Sequence, residues 1–141
     1  MKEKLGDDHP DTLSSMNNLA LLYDDQGKYD KAEPLYVECL AKSKEKLGDD
    51  HPNTLASMAN LAGLYRSQGK YDKAEPLFVE CLAKRKEKMG DDHPDTLPSM
   101  NNLAGLYRSQ GKYDKAEPCL SSVWQKGKKS WVTIIPTHWL R

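Results

Sequence analysis

A 42-residue segment repeats along this chain with few changes, and this repeat constrains the fold more than any other feature. Residues 4–45 align without gaps to residues 46–87, and the two copies differ at eight positions. A third copy begins at residue 88 and follows the second through Pro118 with four changes. Near-identical segments fold into near-identical units that stack on one another. The sequence therefore predicts a repeat array rather than one irregular core.

Each unit has the pattern of two helices. The apolar residues of the first helix recur at spacings of three, three, one and three, which places them on one helical face. Gly27 suits the left-handed conformation that often follows a helix, so we expect the first helix to end there. The second helix is predicted to open with a capping box formed by Asp30 and Glu33. The predicted buried positions of the two helices are Leu13, Met16, Leu19, Ala20, Tyr23, Leu35, Tyr36, Cys39 and Leu40.

The sequence Gly-Asp-Asp-His-Pro precedes each first helix and supplies three of the histidines, His9, His51 and His93. These side chains lie a whole unit apart, so they cannot converge on one ion, and zinc sites need several close ligands. We expect a structural turn in which the aspartates cap the following helix. Cys39 and Cys81 occupy the same apolar position in successive units, which favours small buried side chains over disulfides.

The order of large, small and aromatic residues resembles a known repeat family. The first unit carries its pattern at Met16, Leu19, Ala20, Tyr23, Ala32 and Tyr36, which resembles that of tetratricopeptide repeats. The period exceeds the usual length of about 34 residues, and HEAT repeats of similar period lack this ordered set of positions. The motifs Asn-Asn-Leu-Ala-x-Leu-Tyr and Leu-Gly-x-Asp-His-Pro are similar to the long repeats of kinesin light chains. The resemblance implies an all-α, right-handed superhelical solenoid of about three helix-turn-helix repeats.

The repeat pattern divides the chain into an array and a divergent tail. We expect the array to cover residues 1–126, with units at 4–45, 46–87 and 88–126, and an unpatterned tail to cover 127–141. After Pro118 the repeat sequence is lost, although Leu120, Val123 and Trp124 continue its apolar positions. The last helix is therefore expected to close near residue 126, where Gly127 interrupts it.

The tail also has the properties of a frame-shifted coding sequence. Residues 119–141 can be back-translated so that reading two bases later restores the repeat, including a further Gly-Asp-Asp-His-Pro loop. We therefore hypothesise that one base was lost near the codon for Pro118. Residues 1–4 match the end of a second helix, so we expect the chain to be a segment of a longer array. A coding sequence that cannot be read in this way would contradict the hypothesis.

Composition and motifs argue against several classes of function. The chain has 21 basic and 21 acidic side chains, whereas nucleic-acid-binding domains usually carry a basic excess. No apolar run is long enough to span a membrane, and the first residues lack an apolar signal core. The sequence shows no nucleophile–base pair and no phosphate-binding glycine loop. We expect a cytoplasmic protein that is not an enzyme and that uses no metal or cofactor.

The resemblance implies that the first helices line a concave wall and that this wall binds an extended peptide. The inward-facing positions would be Asn17, Asn18, Leu21, Asp24 and Asp25, then Ala59, Asn60, Gly63, Arg66 and Ser67, then Asn101, Asn102, Gly105, Arg108 and Ser109. Four of the eight differences between the first two units lie on this wall. This variation indicates either an adjustable surface on a fixed scaffold or drift at exposed positions.

The polar wall residues are the candidate peptide-binding residues. They are Asn17, Asn18, Asn60, Arg66, Asn101, Asn102 and Arg108. An asparagine amide has a donor and an acceptor, so the one that recurs in all three units would clamp a ligand's main chain or bond a neighbouring helix. The two arginines favour an acidic ligand, or are simply solvated. Asp24 and Asp25 give the first unit the opposite sign, which would orient a ligand.

The sequence therefore predicts a protein-interaction scaffold that binds an extended, acidic peptide of a protein partner, and neither nucleic acid nor a membrane. The alternative is self-association, because near-identical units have complementary front and back faces. An open end would then receive the start of a second chain, and end-to-end contact would give dimers or filaments.

Overall fold

Six helices make up the described part of the chain. The computed structural model describes residues 10–90, 93–94 and 96–134, with side chains from residue 12 to residue 124. The helices are α1 (Pro10–Asp25), α2 (Tyr29–Leu47), α3 (Pro52–Ser67), α4 (Tyr71–Met89), α5 (Thr96–Ser109) and α6 (Tyr113–Ile134). Each helix packs on the next one along the chain, and each helical pair corresponds to one sequence unit. The predicted all-α, right-handed superhelical solenoid of about three repeats is confirmed.

Two alanines in each unit let the paired helices approach closely. Ala20 of α1 and Ala32 of α2 are fully buried, as are their counterparts in the second unit. A large aromatic side chain fills the space between units. Tyr36 of α2 belongs to the same buried cluster as Leu64 of α3, and Phe78 of α4 takes the equivalent place beneath α5. The core therefore runs through the array, and each unit completes the burial of the unit before it.

The predicted apolar face of α1 is buried except at Leu19. This side chain is 42% exposed, whereas its counterparts Leu61 and Leu103 are buried. Leu22 follows the same rule, since it is 52% exposed while Leu64 at the same position of α3 is 0% exposed. The buried position predicted for Leu19 is therefore wrong. In α3 and α5 the corresponding leucines are covered by the second helix of the preceding unit.

Two thiols lie in the packing between units. Cys39 Sγ lies 3.5 Å from the carbonyl oxygen of Leu13 and 3.7 Å from the hydroxyl of Ser57 in the next unit. Cys81 Sγ lies at the same distance, 3.5 Å, from the carbonyl oxygen of Leu55. Both cysteines are buried and free, which confirms that they serve as small core side chains.

The turn between α1 and α2 is closed by Gly27, as the sequence predicted. Its φ of 76° is left-handed, and the Lys28 amide donates to the Tyr23 carbonyl oxygen at 2.8 Å. The predicted capping box is wrong. Lys28 occupies the N-cap of α2 and makes no side-chain capping bond. Asp30 lies inside the first turn instead, where a carboxylate interacts favourably with the helix dipole.

The Gly-Asp-Asp-His-Pro loop of the second unit is a helix cap, but the capping residue is the histidine. His51 is the N-cap of α3, and its Nδ1 accepts a hydrogen bond from the Asn53 amide at 3.1 Å. The predicted capping by the aspartates is wrong in this unit, and Asp50 instead lies 3.8 Å from Lys84 Nζ. His9 and the predicted start of the first unit lie outside the described residues.

The last helix is longer than the sequence indicated. We expected Gly127 to interrupt it, yet α6 continues through this residue to Ile134. One glycine inside a helix costs only about 1 kcal/mol relative to alanine, which the neighbouring turns can offset. The predicted array boundary at residue 126 thus falls inside a helix. The rest of the predicted tail, residues 135–141, lies outside the described range.

Stacking energy should be measurable at one repeat position that is buried in α3 and exposed in α1. We predict that Leu64→Ala lowers the free energy of unfolding by about 2–5 kcal/mol, because it leaves a cavity between two units. Leu22→Ala is the matched control and should change it by about 0.5 kcal/mol or less. Guanidinium denaturation followed by circular dichroism measures both, and equal losses would contradict the packing described here.

Candidate binding groove

An open groove with a volume of about 320 Å³ crosses the first helices of all three units. Tyr36 of α2 and Phe78 of α4 also line it. Because these aromatic side chains belong to the core between units, the groove exists only where units are stacked. The remaining lining residues come from α1, α3 and α5 and are Leu21, Asp24, Ala59, Asn60, Gly63, Arg66, Ser67 and Asn102.

Gly63 opens the groove at its centre. The first unit has Leu21 at this position, whereas α3 has no side chain there, and a Cβ added to Gly63 would meet nothing within 4 Å. The equivalent Gly105 of α5 is covered instead. A Cβ added to Gly105 would lie 2.9 Å from Nη1 of Arg66, whose side chain extends from α3 onto the next unit. Asp24 is too short to cover Gly63 in the same way, so the opening lies over the second unit.

The asparagines at equivalent positions have different hydrogen bonds. Asn60 Nδ2 donates to Asn17 Oδ1 of the first unit at 3.1 Å, which is the bond to a neighbouring helix that the sequence left open. Asn102 would face the equivalent residue of the second unit, but that residue is Ala59, which has no acceptor in its side chain. Among the described residues, the Asn102 side chain has no hydrogen-bond partner. Asn102 therefore offers its whole amide to the groove.

The groove carries side chains of both signs. Asp24 and Arg66 occupy equivalent positions in the first two units and line the same space. Burial raises the pKa of the Asp24 carboxyl, and the neighbouring Asp25 raises it further. A guanidinium in contact would lower the pKa instead, so Arg66 does not neutralise Asp24. Burial, Asp24 and Asp25 together raise the pKa of Tyr36 to about 12, so its hydroxyl is protonated near neutral pH.

Hydrogen bonds between consecutive units hold the first helices in place. The Tyr65 hydroxyl of α3 bonds to Glu33 of α2, and Tyr107 of α5 bonds to Glu75 of α4 in the same way. Burial and then these bonds raise the pKa of both tyrosines. Lys73 Nζ lies 5.6 Å from the centre of the Tyr65 ring within its own unit, a cation–π distance. These contacts fix the spacing of the groove wall.

The structure brings three of the seven candidate residues together in the groove. Asn60, Arg66 and Asn102 line it. Asn17 lies at a separate cavity of about 150 Å³ nearer the start of α1, and its side chain holds Asn60. The other three candidates, Asn18, Asn101 and Arg108, are exposed and lie outside the groove lining.

Sequence reasoning missed the two aromatic residues of the groove, Tyr36 and Phe78. They were assigned to the core, and they do belong to it. Their exchange of Tyr for Phe is one of the eight differences between the first two units, which was the available signal. Within the described residues, no three His, Cys, Asp or Glu side chains are grouped as a metal site requires. In the same part of the chain, no helix has the length and apolar character needed to cross a membrane.

Comparison with known proteins gives a consistent family. The family model for the tetratricopeptide repeat matches residues 1–45, 25–87 and 61–123. A Podosopora anserina protein described as a kinesin light chain with nearly identical tetratricopeptide-like repeats is similar in structure, with 29% identity and a TM-score of 0.80. The alignment covers 91% of this chain and 61% of that one, and a single-substitution variant of it gives a TM-score of 0.82 with 60% covered.

A second solved structure, BtubC (BKLC) from P. vanneervenii, is 25% identical with a TM-score of 0.81. It is matched over 92% of this chain and 52% of its own length. This chain therefore spans between about half and three fifths of these structures. No curated protein is similar enough to match. The resemblance to kinesin light chain repeats that the sequence indicated is confirmed.

The raised pKa of Asp24 makes a testable statement about stability. The folded chain holds this proton to a higher pH than the unfolded chain, where the carboxyl titrates near 3.8. Stability is therefore lost as the pH rises from 3.8 through the folded-state pKa. We predict that Asp24→Asn raises the free energy of unfolding near neutral pH by up to about 0.5 kcal/mol, and that the gain disappears in acid.

Denaturant unfolding across a pH series measures this difference. Asp49→Asn, in an exposed loop, is the control and should show no such dependence. A gain for Asp24→Asn that persists unchanged below the ordinary carboxyl pKa would show that the ionised group is not its cause.

Proposed function

The chain belongs to the tetratricopeptide repeat family, and we propose that its groove binds an extended peptide segment of a protein partner. Repeats of this family mediate protein–protein interaction, so the general role follows from membership. The site and the binding mode are our proposal. They imply that the chain acts by binding rather than by catalysis.

One observation carries the proposal, namely the open channel over Gly63 between Leu21 and Arg66. A helix surface normally projects a side chain at each inward position, and here one is missing above a floor of aromatic residues. A ligand side chain can therefore reach the aromatic floor without displacing any group of the protein. Extended peptides suit such a channel, since alternate side chains point toward and away from it.

The Asn102 amide would hold the ligand's main chain. Its donor and acceptor match the C=O and N–H that an extended peptide presents, and it makes no competing bond within the described chain. Asn60 contributes less, because one of its N–H groups is already used by Asn17. The proposed clamp is therefore asymmetric and is centred on the boundary between the second and third units.

A second function, end-to-end association of two chains, is supported by the exposure of both ends of the described array. The front face presents Leu19 and Leu22. At the other end, Leu120 and Trp124 of α6 are 40% and 65% exposed, although the equivalent positions of earlier units are buried beneath the next unit. The contact seen twice inside the chain would then form once more between chains. Glu117 of one copy would bond Tyr23 of the next, as Glu33 bonds Tyr65.

We predict that Gly63→Leu abolishes peptide binding without harming the fold. The probe is a set of fluorescent peptides of about nine residues, roughly 30 Å when extended, selected on this protein from a random phage-displayed library. Leucine would fill the channel, so the dissociation constant measured by fluorescence anisotropy should rise at least about tenfold. Removing a glycine from a helix interior should meanwhile raise stability by up to about 1 kcal/mol.

Ala83→Leu adds the same side chain at an exposed position of α4 and is the matched control. It should leave the affinity unchanged. If Gly63→Leu binds the selected peptides as tightly as the parent protein does, the groove is not the binding site.

For the second function, we predict that Leu22→Lys prevents association. A lysine buried at the contact would be desolvated without a partner, which is strongly unfavourable. Light scattering after size-exclusion chromatography should show a mass that grows with concentration for the parent chain and a monomer for the variant. Val37→Lys is the control, because valine at this position is exposed in both of the first two units. A parent chain that stays monomeric at every concentration would refute self-association.

A further inference from the structure

We propose that the groove selects peptides that carry one basic and one acidic side chain in a fixed order, the basic one over the first unit and the acidic one over the second. The inference rests on the proposed function and names its ligand class. It follows from the placement of Asp24 and Arg66 at equivalent positions of consecutive units, both lining one groove. The two residues are among the few differences between otherwise near-identical units.

Neither charge is satisfied by the protein itself. Among the described residues, Asp24 and Arg66 have no ion-pair partner, and they do not pair with each other. The guanidinium of Arg66 instead lies over the bare backbone of Gly105, at the edge of the groove nearest the third unit. The two charges therefore lie apart along the channel and face the space that a ligand would fill.

A ligand of mixed sign fits this arrangement better than a uniformly acidic one. An acidic side chain near Arg66 gains a charge-assisted bond, but an acidic side chain near Asp24 is repelled and has Asp25 beside it as well. A basic side chain near Asp24 reverses that repulsion. An extended chain advances roughly 3.3 Å per residue and neighbouring helices lie roughly 8–10 Å apart, so about three or more residues would separate the two charges.

The cost of Asp24 to the fold is consistent with a role in binding. Its ionised form is disfavoured by burial and by Asp25, and the fold gains no ion pair in return. A cation from the ligand would relieve this cost, which adds to the affinity for the correct order. In contrast, the third unit has Arg108 at the same position, exposed and outside the groove lining.

The test compares four versions of one peptide selected on the parent protein, synthesised with its two charged positions as basic–acidic, acidic–basic, both acidic or both basic. We expect the parent protein to bind the selected order about two- to fivefold more tightly than any other version, the range of one partly solvated ion pair. Asp24→Lys should shift the preference to the both-acidic peptide, and Arg66→Glu to the both-basic peptide. The double variant should prefer the reversed order.

Arg108→Glu is the matched control, since it makes the same change at the same helical position away from the groove, and it should not alter the order of preference. Equal or tighter binding of the both-acidic peptide by the parent protein would overturn the inference, as would an unchanged preference in Asp24→Lys. The outcome is separable from failure of the proposed function. If Gly63→Leu blocks every version while charge order has no effect, the groove binds peptides but does not read their charges.

Discussion

The structure depends on the burial of one aromatic side chain of each second helix beneath the first helix of the next unit. Tyr36 and Phe78 fill this place, and truncating such a residue typically costs about 3–5 kcal/mol. The fully buried alanines bring the paired helices close enough for the aromatic ring to reach the following unit. The same two rings line the groove, so the energy that stacks the units also forms the candidate site.

The groove results from a few wall residues that differ between near-identical units. The change from Leu21 to Gly63 opens the channel, and the change from Asp24 to Arg66 places opposite charges along it. The change from Asn17 to Ala59 removes the acceptor that holds Asn60, so Asn102 stays available. None of these changes touches the fully buried positions. The scaffold and the surface are therefore set by separate groups of residues.

The sequence predicted what depends on one unit alone. Helical periodicity, the left-handed Gly27 and the buried cysteines follow from local pattern and were confirmed. The errors arose where a neighbour or a small energy difference decides the outcome. Leu19 is exposed because no described helix covers it, and α6 passes through Gly127 because one glycine costs little. The bond between Asn17 and Asn60 joins two units, so no single-unit pattern could select it over a ligand clamp.

An array of identical units would present the same surface at every step, and an extended ligand could then bind in several registers. A fixed register requires a difference between units that a ligand can sense. Here the sign of the charge changes between the first and second units, and the free amide lies on the third. Because the stacking energy comes from other positions, such differences cost the fold little. A short array can therefore hold a ligand in one register and one direction with only a few altered residues.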